Sequence, residues 1–132
     1  MNLLLDTHIW IWSVGYRKRL AKRVLRELAN TENGLWLSPI SVWEVQFLYR
    51  KRRIELEGMD VETWTRRALE IRPLNEATVT IDVALEIPKL NLAAGDPGDH
   101  FLVATAKVLG LTLVTSDERI IRSADVPILA NR

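Results

Sequence analysis

Two short apolar runs, each closed by an aspartate, set the strongest limit on how this chain can fold. One is Leu3-Leu4-Leu5-Asp6 near the N-terminus, and the other is Leu113-Val114-Thr115-Ser116-Asp117 near the C-terminus. Runs that lack the alternation of a half-exposed strand read as strands buried on both faces, as in parallel sheets covered by helices. Ligands of open α/β sheets bind just beyond the carboxyl ends of the strands. Asp6 and Asp117 are therefore expected at the edge where a site would form, although they come from opposite ends of the sequence.

The intervening sequence supplies the helices such a sheet needs. Strands are expected over 2–5, 35–37, 71–74, 111–115 and 126–129, and helices over 7–14, 18–29, 39–53, 61–71, 76–87, 101–109 and 118–122. Ser38-Pro39 is a strong helix start, with serine as N-cap and proline at the first helical position. Ile40, Trp43 and Phe47 then recur at spacings of three and four, and Val42, Val45 and Leu48 widen the apolar face. Glu44 falls beside that stripe, and Gly110 ends the helix that begins at Phe101. Strands alternating with helices argue for an α/β domain with a mostly parallel central sheet between helical layers. The 132 residues suffice for one such domain, spanning 1–132, with no linker or repeat.

Composition narrows the chemistry. There is no cysteine, which removes disulfides, thiolate zinc sites and cysteine nucleophiles together. No apolar stretch reaches the ~18 residues that suggest a membrane span, and no basic segment followed by an apolar core marks a signal peptide. A cytoplasmic protein without membrane contact is expected. Net charge is only +1, but it is unevenly placed. Arg17, Lys18, Arg19, Lys22, Arg23 and Arg26 form one basic cluster, and Arg50, Lys51, Arg52 and Arg53 form another. Basic surface beside acids suits an enzyme acting on a polyanion; solvated helix faces explain the same clusters equally well.

Asp6, Asp99 and Asp117 all occupy strand-end or helix-start positions, and Glu44 lies early in the helix after the second strand. Each alone has a plain structural explanation. Asp6, Asp96 and Asp117 read as N-caps, with Asp96 the best case because Pro97 follows it. Together, four acids at one sheet edge form a candidate cation site. Two carboxylates ~5 Å apart repel by roughly 3 kcal/mol at an effective dielectric of ~20, so such a cluster takes up protons or a cation. All-oxygen donors select Mg²⁺ or Mn²⁺ over zinc. A divalent ion of this kind supports phosphodiester hydrolysis without an amino-acid nucleophile.

Four ordered segments carry a family resemblance: Leu4-Leu5-Asp6-Thr7-His8-Ile9-Trp10, Ser41-Val42-Trp43-Glu44-Val45, Gly95 to Ala106 around Asp96-Pro97-Gly98-Asp99, and Leu113 to Asp117. In these the chain resembles PIN-domain proteins, and more narrowly the VapC toxins of type II toxin–antitoxin systems. The resemblance implies a PIN-like three-layer α/β fold and an endoribonuclease dependent on Mg²⁺ or Mn²⁺, acting on RNA. It also implies a homodimer held inactive by a cognate antitoxin. The acidic quartet falls on Asp6, Glu44, Asp99 and Asp117, with Asp6 and Asp99 as direct metal ligands and Glu44 and Asp117 completing the site directly or through water. Asp96 matches an additional acid of this subgroup, and Thr7, Thr115 and Ser116 are candidates to orient carboxylates or waters.

The chain departs from the family pattern at three places: His100 stands where arginine is frequent, Ala94 where histidine is frequent, and Gly98 where a larger residue is usual. His8, His100, Arg50 and Lys51 are candidate substrate contacts. Trp10, Trp12, Trp36 and Trp43 are expected in the core or a dimer interface rather than stacked on bases. Two other readings remain open at the level of sequence. One is a non-catalytic module whose acidic pocket takes a basic peptide; the other is a DNA nuclease of the same fold. An aspartyl-phosphate phosphatase ranks lower, because His8 stands where its second aspartate belongs.

Overall fold

A computed structural model describes residues 1–132. Five strands, β1 (Asn2–Leu5), β2 (Gly34–Leu37), β3 (Asn75–Glu76), β4 (Thr112–Thr115) and β5 (Ile128–Ala130), form one sheet in the order β3-β2-β1-β4-β5. Every pairing is parallel. The seven α-helices are α1 (Thr7–Gly15), α2 (Lys22–Ala29), α3 (Pro39–Arg50), α4 (Val61–Ile71), α5 (Ile81–Glu86), α6 (Pro97–Leu109) and α7 (Glu118–Ser123).

The apolar runs behave as their patterning requires. Leu3, Leu4 and Leu5 have no exposed surface, and neither do Leu113 and Val114. Successive side chains of a strand face opposite sides, so β1 divides its leucines between two cores. Leu3 and Leu5 join Trp10, Val24, Val45 and Trp64 on one side. Leu4 joins Val103, Ala106, Leu113 and Ile120 on the other. The result is the three-layer arrangement expected from sequence.

Polar side chains start the helices that leave the carboxyl edge. Asp6, Ser38 and Asp117 cap α1, α3 and α7 through hydrogen bonds from Thr7 N, Ile40 N and Arg119 N. Asp96 caps α6 by accepting from Gly98 N, with Pro97 at the first turn. Gly110 ends α6 at φ 68°, a left-handed conformation that a side chain disfavours.

Four local expectations are corrected. The basic helix over 18–29 is divided: Arg17–Arg19 is a 3₁₀ turn, and α2 starts only at Lys22. Buried Leu20 takes extended backbone there, and the Ala21 amide donates to Asn131 Oδ1 at 2.6 Å. The third strand is not 71–74 but Asn75–Glu76, because Ile71 still belongs to α4. The helix expected over 76–87 is reduced to α5, where Thr80 caps Val83 N after a run of β-branched residues. In α3 the buried stripe runs through Ser41 and Val45, while Trp43 and Phe47 point outward, 53% and 45% exposed. Of the expected apolar face, Val45 lies in the core with Val42 and Leu48 packed against it. The stripe through Trp43 and Phe47 lies outside it, because the helix is apolar on more of its circumference than its neighbours cover. Of the other tryptophans, Trp10 is buried edge-on against Trp64, and Trp12 and Trp36 are partly buried.

Candidate active site

The parallel order brings the ends of β1 and β4 side by side, and the acidic residues follow from that register. Leu5 pairs with Val114, so Asp6 and Thr115 leave neighbouring strands at the same level. Thr115 Oγ1 donates to Asp6 Oδ2 at 2.6 Å and accepts from Asp117 N at 3.0 Å. This buried hydroxyl thereby ties the first and last acids together. Thr7 does the same toward α3. Its hydroxyl is 2.7 Å from Glu44 Oε1 and 2.9 Å from Ser41 Oγ. One proton serves one acceptor at a time; with Glu44 ionised, the charged oxygen is the stronger acceptor and Ser41 can donate to Thr7.

Asp99 enters from the first turn of α6, and its neighbour Arg119 enters from α7. Arg119 Nη2 donates to Asp99 Oδ2 at 2.8 Å and to Asp117 Oδ2 at 3.1 Å. Gly95 leaves the space this guanidinium fills, since a Cβ there would stand 2.8 Å from Arg119 Nη1.

The electrostatics register the crowding. Loss of solvation, followed by the charges of Asp6, Asp96 and Asp99, pushes Glu44 up to about 7 despite the Thr7 hydrogen bond. Loss of solvation and the charges of Asp6, Asp96 and Asp117 push Asp99 up to about 6, with Arg119 opposing. Asp6 is also raised, chiefly by burial, against the hydrogen bonds from Thr115 and Thr7. Asp117 goes the other way: burial raises it, but the hydrogen bonds and charge of Arg119 outweigh that and hold it low.

The donor set suits a hard divalent cation: carboxylates, hydroxyls and no sulfur. A cation is already drawn in, because Arg119 bridges two of the acids while Asp6 and Glu44 keep raised proton affinity. No three acids lie close enough to cage an ion in this arrangement. Arg119 engages one oxygen each of Asp99 and Asp117 from the surface.

The family model of the PIN domain matches residues 3–126. The chain belongs to the PIN domain family. Its match therefore takes in Asp6, Glu44, Asp99 and Asp117. Among curated proteins it is 29% identical over 120 residues to "Ribonuclease VapC22" of Mycobacterium tuberculosis, covering 90% of this chain and 89% of that one. Among solved structures, VapBC2 from Rickettsia felis, bound to a DNA fragment from its promoter, aligns over 100% of both chains at TM-score 0.75 and 17% identity. A toxin–antitoxin complex from Klebsiella pneumoniae aligns over 97% of this chain and 96% of that one, at TM-score 0.64 and 25% identity. These likenesses agree with the PIN-like α/β fold and the VapC resemblance.

The remaining candidates divide. Asp96 is an exposed N-cap whose charge is felt by Glu44 and Asp99. His100 turns Nδ1 to the Asp96 carbonyl at 3.1 Å, which places the imidazole over the start of α6. His8 is exposed on α1 near Asp6, its charge favouring the Asp6 carboxylate. Arg50 and Lys51 end α3 and its cap, and Lys51 lies over the Phe47 ring at 5.0 Å rather than beside the acids. Arg52 and Arg53 instead share a cleft with His8. Sequence reading missed Arg119. The available signal was its place two residues after Asp117, in the first turn of a capped helix.

Gly98 explains itself in this geometry. A Cβ there would lie 2.9 Å from Glu44 Oε2 and 3.0 Å from its Cδ. Alanine is a better helix former than glycine by about 1 kcal/mol, but the added methyl must push the Glu44 carboxylate aside. Gly98→Ala is expected to leave the thermal midpoint within a few degrees and to lower any metal-dependent cleavage about tenfold. Unchanged cleavage would show that Glu44 does not need its present position.

Proposed function

We propose that this PIN domain is an endoribonuclease that depends on Mg²⁺ or Mn²⁺ and acts as the toxin of a toxin–antitoxin pair, limiting translation or growth. The observation that carries the reading is the convergence of Asp6, Glu44, Asp99 and Asp117 on one sheet edge, where three of the four carboxyls have raised proton affinity. The curated VapC ribonuclease relative supports the substrate class.

Asp6 and Asp99 would hold the ion, with Glu44 and Asp117 completing its surroundings. When bound, a divalent ion lowers the pKa of a water and offsets charge on the phosphate. The chain's own groups then set the geometry. Thr115 fixes the Asp6 carboxylate and, through the Asp117 amide, the start of α7. Thr7 holds Glu44 toward the site. Arg119, freed from its two carboxylates, would meet the anionic backbone of RNA.

The partner reading draws on the solved relatives, which include toxin–antitoxin complexes, and on the outward Trp43 and Phe47 rings, 5.5 Å apart. A homodimer or an antitoxin covering this face would bury them. No helix is long and apolar enough to cross a membrane.

The deciding experiment is cleavage of a mixed RNA pool in Mg²⁺, Mn²⁺ or EDTA, with Asp99→Asn as control and a DNA pool in parallel. Metal-dependent RNA cleavage lost in Asp99→Asn is expected. Activity that survives both EDTA and the substitution sinks the mechanism; cleavage of DNA alone selects the DNA nuclease; no cleavage favours the acidic-pocket binding module.

Arg119→Gln gives a separate prediction. It removes the cation that now competes for Asp99 and Asp117, so Mn²⁺ affinity by calorimetry should rise by roughly three- to tenfold, in line with one charge at short range in high dielectric. Weaker Mn²⁺ binding would mean that Arg119 orders the acids instead of competing for them.

A further inference from the structure

One cleft, lined in part by His8 two residues after Asp6, has no role in the reaction as described. It has a volume of about 390 Å³, within the roughly 300–1,000 Å³ of small-molecule sites. His8, Trp12, Tyr16, Arg19, Arg52 and Arg53 line it. We propose that this cleft is a nucleobase subsite for single-stranded RNA, receiving a base next to the phosphate held at the acids. The proposal rests on the ribonuclease reading above and adds to it a place where sequence preference arises.

The walls have the chemistry of a base-stacking site. Trp12 is partly exposed, with the His8 ring centroid 5.6 Å away and tilted by 51°. The Arg19 guanidinium lies 5.4 Å from the Trp12 ring centroid. Single-stranded nucleic acids are held by such combinations: flat rings that stack on bases and cations that follow the phosphates. Arg19, Arg52 and Arg53 make no ion pair, so their charge is available to a ligand. Glu55 is the one acid at the rim, and its carbonyl is 3.5 Å from the Tyr16 hydroxyl.

The backbone around the cleft is held in a particular form. Arg52 has φ 57°, the left-handed region that residues other than glycine seldom adopt. Its amide donates to the Tyr49 carbonyl at 3.0 Å and the Arg53 amide to the Leu48 carbonyl at 2.9 Å. The end of α3 is thus wound back, which places both arginines at the cleft. These two bonds are those of a helix C-terminal cap closed by a left-handed residue, so the end of α3 itself fixes where Arg52 and Arg53 leave the helix.

The cleft is also connected to the acids. His8 follows Asp6 by two residues on α1, within electrostatic reach of its carboxylate. Asn131 Nδ2 donates both to the Arg19 carbonyl at 3.0 Å and to Ser116 Oγ at 2.9 Å. That side chain joins the cleft rim to the loop carrying Asp117. Charge decides between occupants: a peptide basic enough to neutralise the acidic quartet is repelled by three arginines here, whereas RNA supplies phosphate to both regions through bound cations and guanidinium groups.

The test maps cleavage sites in a mixed RNA pool by end sequencing, for wild type, Trp12→Leu and Arg53→Gln, with steady-state kinetics on one short oligonucleotide. Both variants are expected to raise KM about tenfold, with kcat within about threefold, and Trp12→Leu to flatten base preference beside the cut. Arg53 is an exposed side chain, so Arg53→Gln keeps the test valid if Trp12→Leu unfolds. Wild-type cleavage with unchanged sites and KM in both variants overturns the subsite and leaves the ribonuclease reading standing. If wild type cleaves no RNA, that reading fails by itself, and fluorescence-anisotropy binding of single-stranded RNA decides the cleft: equal affinity in wild type and Arg53→Gln overturns it. Loss of protein-partner binding with an unchanged RNA pattern also overturns it, assigning the cleft to a protein.

Discussion

Replacing Asp6 with asparagine is expected to lower metal-dependent RNA cleavage about a thousandfold, corresponding to roughly 4 kcal/mol of lost transition-state stabilisation. Asparagine keeps the size of the side chain and one acceptor, so the Thr7 amide can still donate to it. Its NH₂ would meet Thr115 Oγ1, a hydroxyl able to accept as well as donate. The fold should therefore survive. In EDTA the variant should even be slightly more stable at neutral pH, because the carboxylate it removes is raised by burial and is thus less favourable ionised in the fold than in the unfolded chain. Activity falling while the EDTA thermal midpoint holds or rises separates a metal ligand from a structural cap. A midpoint several degrees lower, with activity lost in proportion to unfolded protein, would assign Asp6 to capping α1 alone.

The same residues show what a single sequence makes legible. Leu3, Leu4 and Leu5 can be read as a doubly buried strand because no register exposes one of them without losing burial. Asp6 follows as the edge residue, and Ser38-Pro39 gives the start of α3 from local chemistry. What could not be read locally depends on distant partners. The break at Leu20 and Ala21 depends on Asn131, 110 residues beyond Ala21. The face of α3 depends on where α1, α4 and α6 pack against it: Trp43 and Phe47 are as apolar as Val45 but face outward. Arg119 escaped notice because an arginine in a charged first turn looks like solvated surface. Asp117 is its neighbour in sequence, but only the fold brings Asp99 from the start of α6 to its other side.

Burial and mutual repulsion of the acids govern how stability should respond to pH. Glu44 moves from an ordinary 4.5 up to about 7, and Asp99 from 3.8 up to about 6. Between these limits the folded chain binds protons that the unfolded chain has released. Stability contributed by such groups is fully present below their unfolded pKa and is lost as pH rises through the folded value. Asp117 is lowered, so its contribution is present above 3.8 and lost as pH falls further, outside this window. In EDTA the thermal midpoint should fall by roughly 5 °C between pH 5 and pH 7.5, on the order of 1–2 kcal/mol after solvent screening is discounted. Glu44→Gln should remove about half of that slope, since glutamine retains an acceptor for Thr7 without a charge. Adding Mn²⁺ should reverse the trend, because an ion bound only by the folded state stabilises it by mass action, most strongly once the carboxylates are ionised. Differential scanning fluorimetry across this pH range, with EDTA or Mn²⁺, measures both arms. A midpoint that rises with pH in EDTA would mean that Arg119 and the hydroxyls already compensate the acids, leaving no unmet charge for a metal to neutralise.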